Sequence, residues 1–137
     1  MPLQPPLILQ AAAIPIREGR VCLINSSSGR GWVIPKGCIE LGQTARETAL
    51  QEAWEEAGLD GILENRRVGS YRYEKNGNLY HVTAFLMHVT AGANAWPEDH
   101  RRQRRWIDLG SAPRFVQVPG LRRVLRSLTT HESMAVS

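Results

Sequence analysis

Residues 37–59 read GCIELGQTARETALQEAWEEAGL, and three glutamates, Glu52, Glu55 and Glu56, crowd into the last turns of a segment patterned as a helix. Thr44 followed by Glu47 is a capping box: the threonine oxygen accepts from the amide three residues on, and the glutamate reaches back to the cap amide. Glu47 therefore already has a structural task. Gly58 stands where a left-handed C-terminal cap is needed, so the spacing predicts a helix over 45–57. At about 100° per residue, Ala45, Ala49, Ala53 and Ala57 with Leu50 and Trp54 cover one half of the cylinder, and the three glutamates lie beside the alanine edge. Like charges at i, i+3 and i, i+4 repel by a few tenths of a kcal/mol, roughly, per pair. The negative end of the helix dipole adds a similar penalty. Helix propensity does not account for these residues. Either they form a solvated acidic face neutralised by arginines, or a hard divalent cation, which prefers carboxylate oxygens and keeps positions open for water and phosphate, reverses the energetics.

The wider arrangement resembles the Nudix box, G-x5-E-x7-R-E-U-x-E-E-x-G-U with U aliphatic. Gly37 opens it, and Glu52, Ala53, Glu55, Glu56, Gly58 and Leu59 close it at the same spacing. Two positions depart, Gln43 standing where the family has glutamate and Gln51 where it has arginine. In the family those two side chains pair. Exchanging both leaves two amides able to hydrogen-bond each other, whereas exchanging one strands a charge. The resemblance implies an α/β (α+β) fold of the Nudix type, an α/β/α sandwich with a mixed β-sheet, acting as a pyrophosphohydrolase. It implies Mg²⁺, with Mn²⁺ as a substitute, held by Glu52, Glu55, Glu56 and the Gly37 carbonyl. Glu55 is the expected general base and Glu52 its rival. With Gln51 holding Glu52 less firmly than an arginine, hydrolysis is expected to be retained but slowed.

Working outward, LILQAAAIPI (7–16) and RVCLINSS (20–27) read as two strands around REG, and GWVIPKG (31–37) as a short buried strand entering a turn. RRVGSYRYE (66–74) and LYHVTAFLMHV (79–89) flank Asn76-Gly77, a strong hairpin signal. QRRWIDL (103–109) is another short strand. In PGLRRVLRSL (119–128), Leu121, Val124, Leu125 and Leu128 mark one apolar helical face. Strands with a helix in the middle and one at the end make a mixed sheet covered by helices. Residues 1–137 read as a single domain with flexible ends at 1–7 and 130–137.

The order SSSGRGWVIPKG, box, hairpin, AWPEDHRRQRRWIDL is similar to the diphosphoinositol polyphosphate phosphohydrolase branch of the family, over about residues 10–113. That resemblance implies substrate contacts from Ser27, Ser28 and Arg30 and from Arg102 and Arg104, with Lys36 offsetting phosphate charge. In an extended strand Arg102, Arg104 and Trp106 share one face; an arginine-rich edge strand that discourages aggregation has the same pattern. Glu98 and Asp99 read as exposed loop acids, with an additional ligand role as the alternative. Trp32, Trp54 and Trp106 read as core residues, and an aromatic beside the site would stack on a nucleobase.

The chain has 137 residues, 42% apolar and 22% charged, enough for one well-packed domain. Its formal charge is +4, and Lys36 and Lys75 are its only lysines. An arginine-heavy balance suits phosphate-bearing partners. No apolar run reaches membrane-spanning length, so no membrane partner is expected. The N-terminal MPLQPPLILQ lacks the features of a secretory signal, and a cytoplasmic location is expected. Cys22 and Cys38 read as reduced. The substrate expected is a small polyphosphate, either a diphosphoinositol polyphosphate or a dinucleoside polyphosphate, with the oligomeric state open. Two other readings compete: a weakened Nudix domain that binds a nucleotide as a sensor, and an RNA-directed module built on RRQRRW.

Overall fold

The computed structural model describes residues 6–29 and 31–136, with 130–136 by backbone alone. In chain order the elements are β1 (Leu7–Arg17), β2 (Arg20–Asn25), β3 (Trp32–Val33), β4 (Lys36–Cys38), α1 (Ala45–Ala57), β5 (Leu59–Leu63), β6 (Gly69–Lys75), β7 (Asn78–Gly92), β8 (Arg104–Asp108), a 3-10 turn (Ala112–Phe115) and α2 (Pro119–Val136). The strands form one eight-stranded mixed sheet. Its axis is the parallel pair β1–β7, in register from Leu7↔Leu79 to Ile16↔His88. Antiparallel partners complete it: β2 and β4 on β1, β5 and β6 on β7, β3 and β8 on β2.

Because side chains alternate along a strand, one sheet feeds two cores. Ala11, Ala13, Cys22, Ile24, Phe85 and Met87 pack on one face against Ala49, Ala53 and Ala57 of α1. Ala12, Ile14, Val21, Leu23, Val82 and Leu86 pack on the other against Leu121, Val124, Leu125 and Leu128 of α2. The result is the expected α/β/α sandwich. Both two-residue hairpin turns have positive φ at both positions, Glu18-Gly19 at 52° and 75° and Asn76-Gly77 at 52° and 80°, the pairing that matches strand twist.

Two expectations change, and one strand appears that was not expected. GWVIPKG is not one strand. Trp32–Val33 pairs with β2 and Lys36–Cys38 with β1, and Pro35, with no N–H to give a ladder, uses its carbonyl to accept from the Ala13 amide at 3.1 Å. β5 follows α1 directly and pairs with β7 through an irregularity at Asp60/Gly61, which breaks the alternation by which a strand is read. Trp54 is not core: it is 37% exposed and Leu50 is 39% exposed, each lying one step round the helix from a buried alanine. The loose ends expected at 1–7 and 130–137 fall partly outside the described residues; within them, Leu7 opens β1 and α2 continues to Val136.

Candidate active site

The capping box forms as expected. Thr44 Oγ1 accepts from the Glu47 amide at 3.0 Å, and the Thr44 amide donates to Glu47 Oε1 at 3.2 Å. Ala49, Ala53 and Ala57 have no exposed surface, so α1 lies close against the sheet and its glutamates meet β4 directly. Gly37 lies beneath Glu52: a Cβ at residue 37 would stand 2.8 Å from Glu52 Cγ and closer still to its carboxyl group. A side chain at residue 37 would push the Glu52 carboxyl group from this position against β4.

Glu56 is buried, 7% exposed, and its carboxyl group shares a hydrogen bond with that of Glu52. The Lys36 amide donates to Glu56 Oε1 at 3.4 Å and Arg102 Nη2 stands 3.7 Å from the same oxygen. Burial outweighs the attraction of Arg102 and pushes the Glu56 carboxyl up to about 8. Burial also raises Glu52, and it lowers the Lys36 ammonium against the pull of Glu56. Burial disfavours the charged form of both carboxyl groups, in a place where a hard cation can take up the same oxygens. Among the described residues no three His, Cys, Asp or Glu side chains are drawn into a ready metal cluster. The Glu55 carboxylate is engaged by a neighbour on its own helix, accepting from Gln51 Nε2 at 3.0 Å. Gln51 Oε1 in turn accepts from Gln43 Nε2 at 2.7 Å, and Gln43 Oε1 from Thr48 Oγ1 at 3.2 Å. Gln43 and Gln51 thus bond to each other, and Gln51 orients Glu55 rather than Glu52. Glu52, Glu56 and Gly37 together fit a divalent cation in donor chemistry.

Beside the carboxylates opens a cavity of about 620 Å³. Ser27, Ser28, Lys36 and Arg102 line it together with Glu56; Arg30 lies outside the described residues. Sequence reading missed further lining residues, among them Tyr73, Glu74, Lys75, Gln117 and Val118, which come from the β6–β7 hairpin and the approach to α2. Neither segment carries a motif, and only the fold brings them here. Trp32, read as core, forms part of the cavity wall while packing on the α2-side core. A smaller cavity of about 370 Å³ adjoins across Ser26, Ser27 and Arg102.

Arg102 is 13% exposed; it donates to Glu98 Oε1 at 3.1 Å and to the Asn25 carbonyl at 2.6 Å. Glu98 is therefore a partly buried partner of Arg102 rather than an exposed loop acid, whereas Asp99 accepts from the Trp96 amide at 3.0 Å within its own loop. Arg104 does not line the cavity. Its guanidinium donates to the Ala57 carbonyl at 3.1 Å and lies 4.1 Å over the ring of Trp96. It is bound to the end of α1, whereas the resemblance implied a substrate contact for it.

The NUDIX domain family matches residues 7–128. Two Arabidopsis thaliana proteins are similar: Nudix hydrolase 4, 31% identical over 118 residues, covering 85% of this chain and 56% of that protein, and mitochondrial Nudix hydrolase 16, 32% identical over 114 residues, covering 77% and 63%. The chain thus spans somewhat over half the length of these relatives. Among solved structures, a C. elegans Ap4A hydrolase binary complex superposes with a TM-score of 0.77 at 18% identity, covering 92% of this chain and 98% of the other. The solution structure of the E. coli ORF135 protein does so with a TM-score of 0.75 at 22% identity, covering 98% and 97%.

Proposed function

The chain belongs to the Nudix family, and from that premise we propose that it is a divalent-metal-dependent pyrophosphohydrolase whose substrate is a nucleoside polyphosphate, dinucleoside polyphosphates included. One observation carries the reading: the cavity beside Glu52 and the buried Glu56 is lined by both charged and apolar side chains. Its described ionic lining is Lys36, Lys75 and Arg102 against Glu56 and Glu74, three cations to two carboxyl groups, while Trp32, Val33, Tyr73 and Val118 form the apolar part. A diphosphoinositol polyphosphate bears phosphate around its whole ring, and setting such oxygens against Trp32 and Val118 desolvates charge without a partner. A nucleotide has one charged tail and one flat, weakly polar base, which matches a lining of both kinds.

Glu52 and Glu56, with the Gly37 carbonyl that the family resemblance implies, would hold Mg²⁺ or Mn²⁺, which would supply charge neutralisation to the diphosphate oxygens. Lys36 and Arg102 add positive charge along the phosphate chain, and the Ser27 and Ser28 hydroxyls offer donors to it. Glu55 takes the proton of the attacking water, its carboxylate aimed by the Gln51 amide. Glu52 remains the rival base. The arginines of RRQRRW already have internal partners: Arg101 and Arg102 pair with Glu98, Arg104 holds α1, and Arg105 lies 5.8 Å over Trp32 and 5.2 Å over Phe115. That weighs against an RNA-reading stripe.

The test is phosphate or nucleotide release with Mg²⁺ over a panel of nucleoside triphosphates, dinucleoside polyphosphates and diphosphoinositol polyphosphates, with Glu55→Gln alongside. Turnover confined to the nucleotides and lost in the variant is expected. Preference for the inositol compounds would reject the substrate assignment. Tight nucleotide binding with no turnover by the unaltered protein would reject the enzyme and leave the sensor, which Gln43 and Gln51 first suggested.

A further inference from the structure

We propose that Arg104 and Trp96 are positioning residues for the metal-binding end of α1, acting on Glu55 and Glu56 through the helix's last carbonyls. The inference rests on the metal reading above. An α-helix ends with four carbonyls that lack intrahelical partners, and their partial negative charge opposes carboxylates in the last turn. Here α1 has no basic residue of its own in that turn. The segment 93–104 supplies what is missing. The Glu98 amide donates to the Glu55 carbonyl at 3.0 Å, Trp96 Nε1 to the Glu56 carbonyl at 3.0 Å, Arg104 Nη1 to the Ala57 carbonyl at 3.1 Å and the Ala93 amide to the Gly58 carbonyl at 2.9 Å. The Trp54 carbonyl is taken by the Gly58 amide at 2.9 Å.

The two side chains act as a unit. The guanidinium stacks on the indole, and the indole lies on Gly58, where a Cβ would stand 2.8 Å from the ring. The cap therefore has to be glycine for two separate reasons, its φ of 66° and the ring above it. Glu56 is held twice by this one segment, at its carbonyl by Trp96 and at its carboxyl group by Arg102. Arg104 places a permanent positive charge at the helix end, where it offsets both the dipole and the clustered carboxylates. Without it, the end of α1 just beyond Glu56 loses its anchor at the Ala57 carbonyl.

The experiment titrates Mn²⁺ alone into the full chain, following free Mn²⁺ by electron paramagnetic resonance, for the unaltered protein, Arg104→Gln, Arg104→Lys and Trp96→Phe, each with a thermal melt. Outer partners of metal ligands typically contribute about 10- to 100-fold in affinity. We expect Mn²⁺ binding about 10-fold weaker in Arg104→Gln, partial recovery in Arg104→Lys, and a smaller loss in Trp96→Phe, which keeps a ring over Gly58 but removes the donor. Nucleotide KM at saturating Mn²⁺ should stay nearly constant while the metal activation constant rises. If Arg104→Gln melts earlier yet binds Mn²⁺ normally, the role is structural and the proposal is overturned. If KM rises at saturating metal with Mn²⁺ affinity intact, Arg104 contacts substrate and the proposal is likewise overturned. Should Arg104→Gln fail to fold, Trp96→Phe decides by the same criteria. An unaltered protein that binds no Mn²⁺ refutes the metal reading itself, and normal binding by the unaltered protein and by every variant refutes this inference alone.

Discussion

The two faces of the sheet are built by different physics. On the α2 face, Leu121, Val124, Leu125 and Leu128 bury large side chains against isoleucines, leucines and valines of the strands. On the α1 face, the helix contributes Ala49, Ala53 and Ala57, so its hold through apolar area is slight. It is fastened at its ends instead, by the Thr44–Glu47 box at one and by segment 93–104 at the other. The face that stabilises the fold needs bulk. The face that carries the chemistry needs closeness and polar anchoring, because bulk would lift Glu52 and Glu56 away from Gly37 and Lys36.

The sharpest test of this division is Glu56→Gln. Hydrolysis should fall on the order of 10³-fold, the scale of losing an oriented electrostatic group, while the melting temperature at pH 8 rises because a buried acid has gone. An earlier melt would mean that the α1 face also carries stability through its carboxylates. Leu125→Ala is the converse. Leu125 is fully buried, and urea unfolding should show a loss of about 3 kcal/mol, with kcat per folded molecule unchanged. A comparable fall in kcat would show the two faces to be coupled.

A third test uses pH. The Glu56 carboxyl in the folded protein is raised from 4.5 to about 8, so between those values the native state holds a proton that the unfolded chain has released. Stability of the metal-free protein is then full below pH 4.5 and declines as pH rises through about 8. Melts at pH 5 and pH 8 should show this decline, Mg²⁺ should reverse it by binding the native state, and Glu56→Gln should remove the slope. A smaller effect is expected of Thr44→Ala, which removes the side-chain half of the cap and should cost about 1 kcal/mol. Measured by chemical unfolding, a negligible loss would mean that the box does not anchor α1.

Much of this was legible beforehand because it is written in local patterns. The capping box, the two glycine-bearing hairpin turns and the α2 stripe each depend on residues a few positions apart, as does the spacing that sets Gly37 against Glu52. What escaped depends on contacts across the chain. Nothing local shows that Trp96 reaches the Glu56 carbonyl, 40 residues away, or that Arg104 spends its guanidinium on a helix end. Strand alternation rightly separated Arg102 and Arg104 from Arg105 and is silent on how far along the sheet each side chain finds its partner. Lys75 and Gln117 reach the cavity only after the hairpin and the approach to α2 fold over it. Gln43 and Gln51 were readable as a pair, but their true object, Glu55 rather than Glu52, needed rotamers.

That amide relay has a consequence for the conditions under which the protein works. An arginine–glutamate pair in its place would be weakened by dissolved salt, since mobile ions screen exposed charges over about 8–10 Å at physiological strength. Gln43 and Gln51 carry no charge to screen. The aim of Glu55 is therefore insulated from ionic strength, while the attraction proposed between a phosphate chain and Lys36, Lys75 and Arg102 is not. Raising potassium chloride from 0.05 to about 0.5 M should increase KM severalfold and leave kcat nearly flat, so that salt governs how often substrate is captured rather than how fast it is cut.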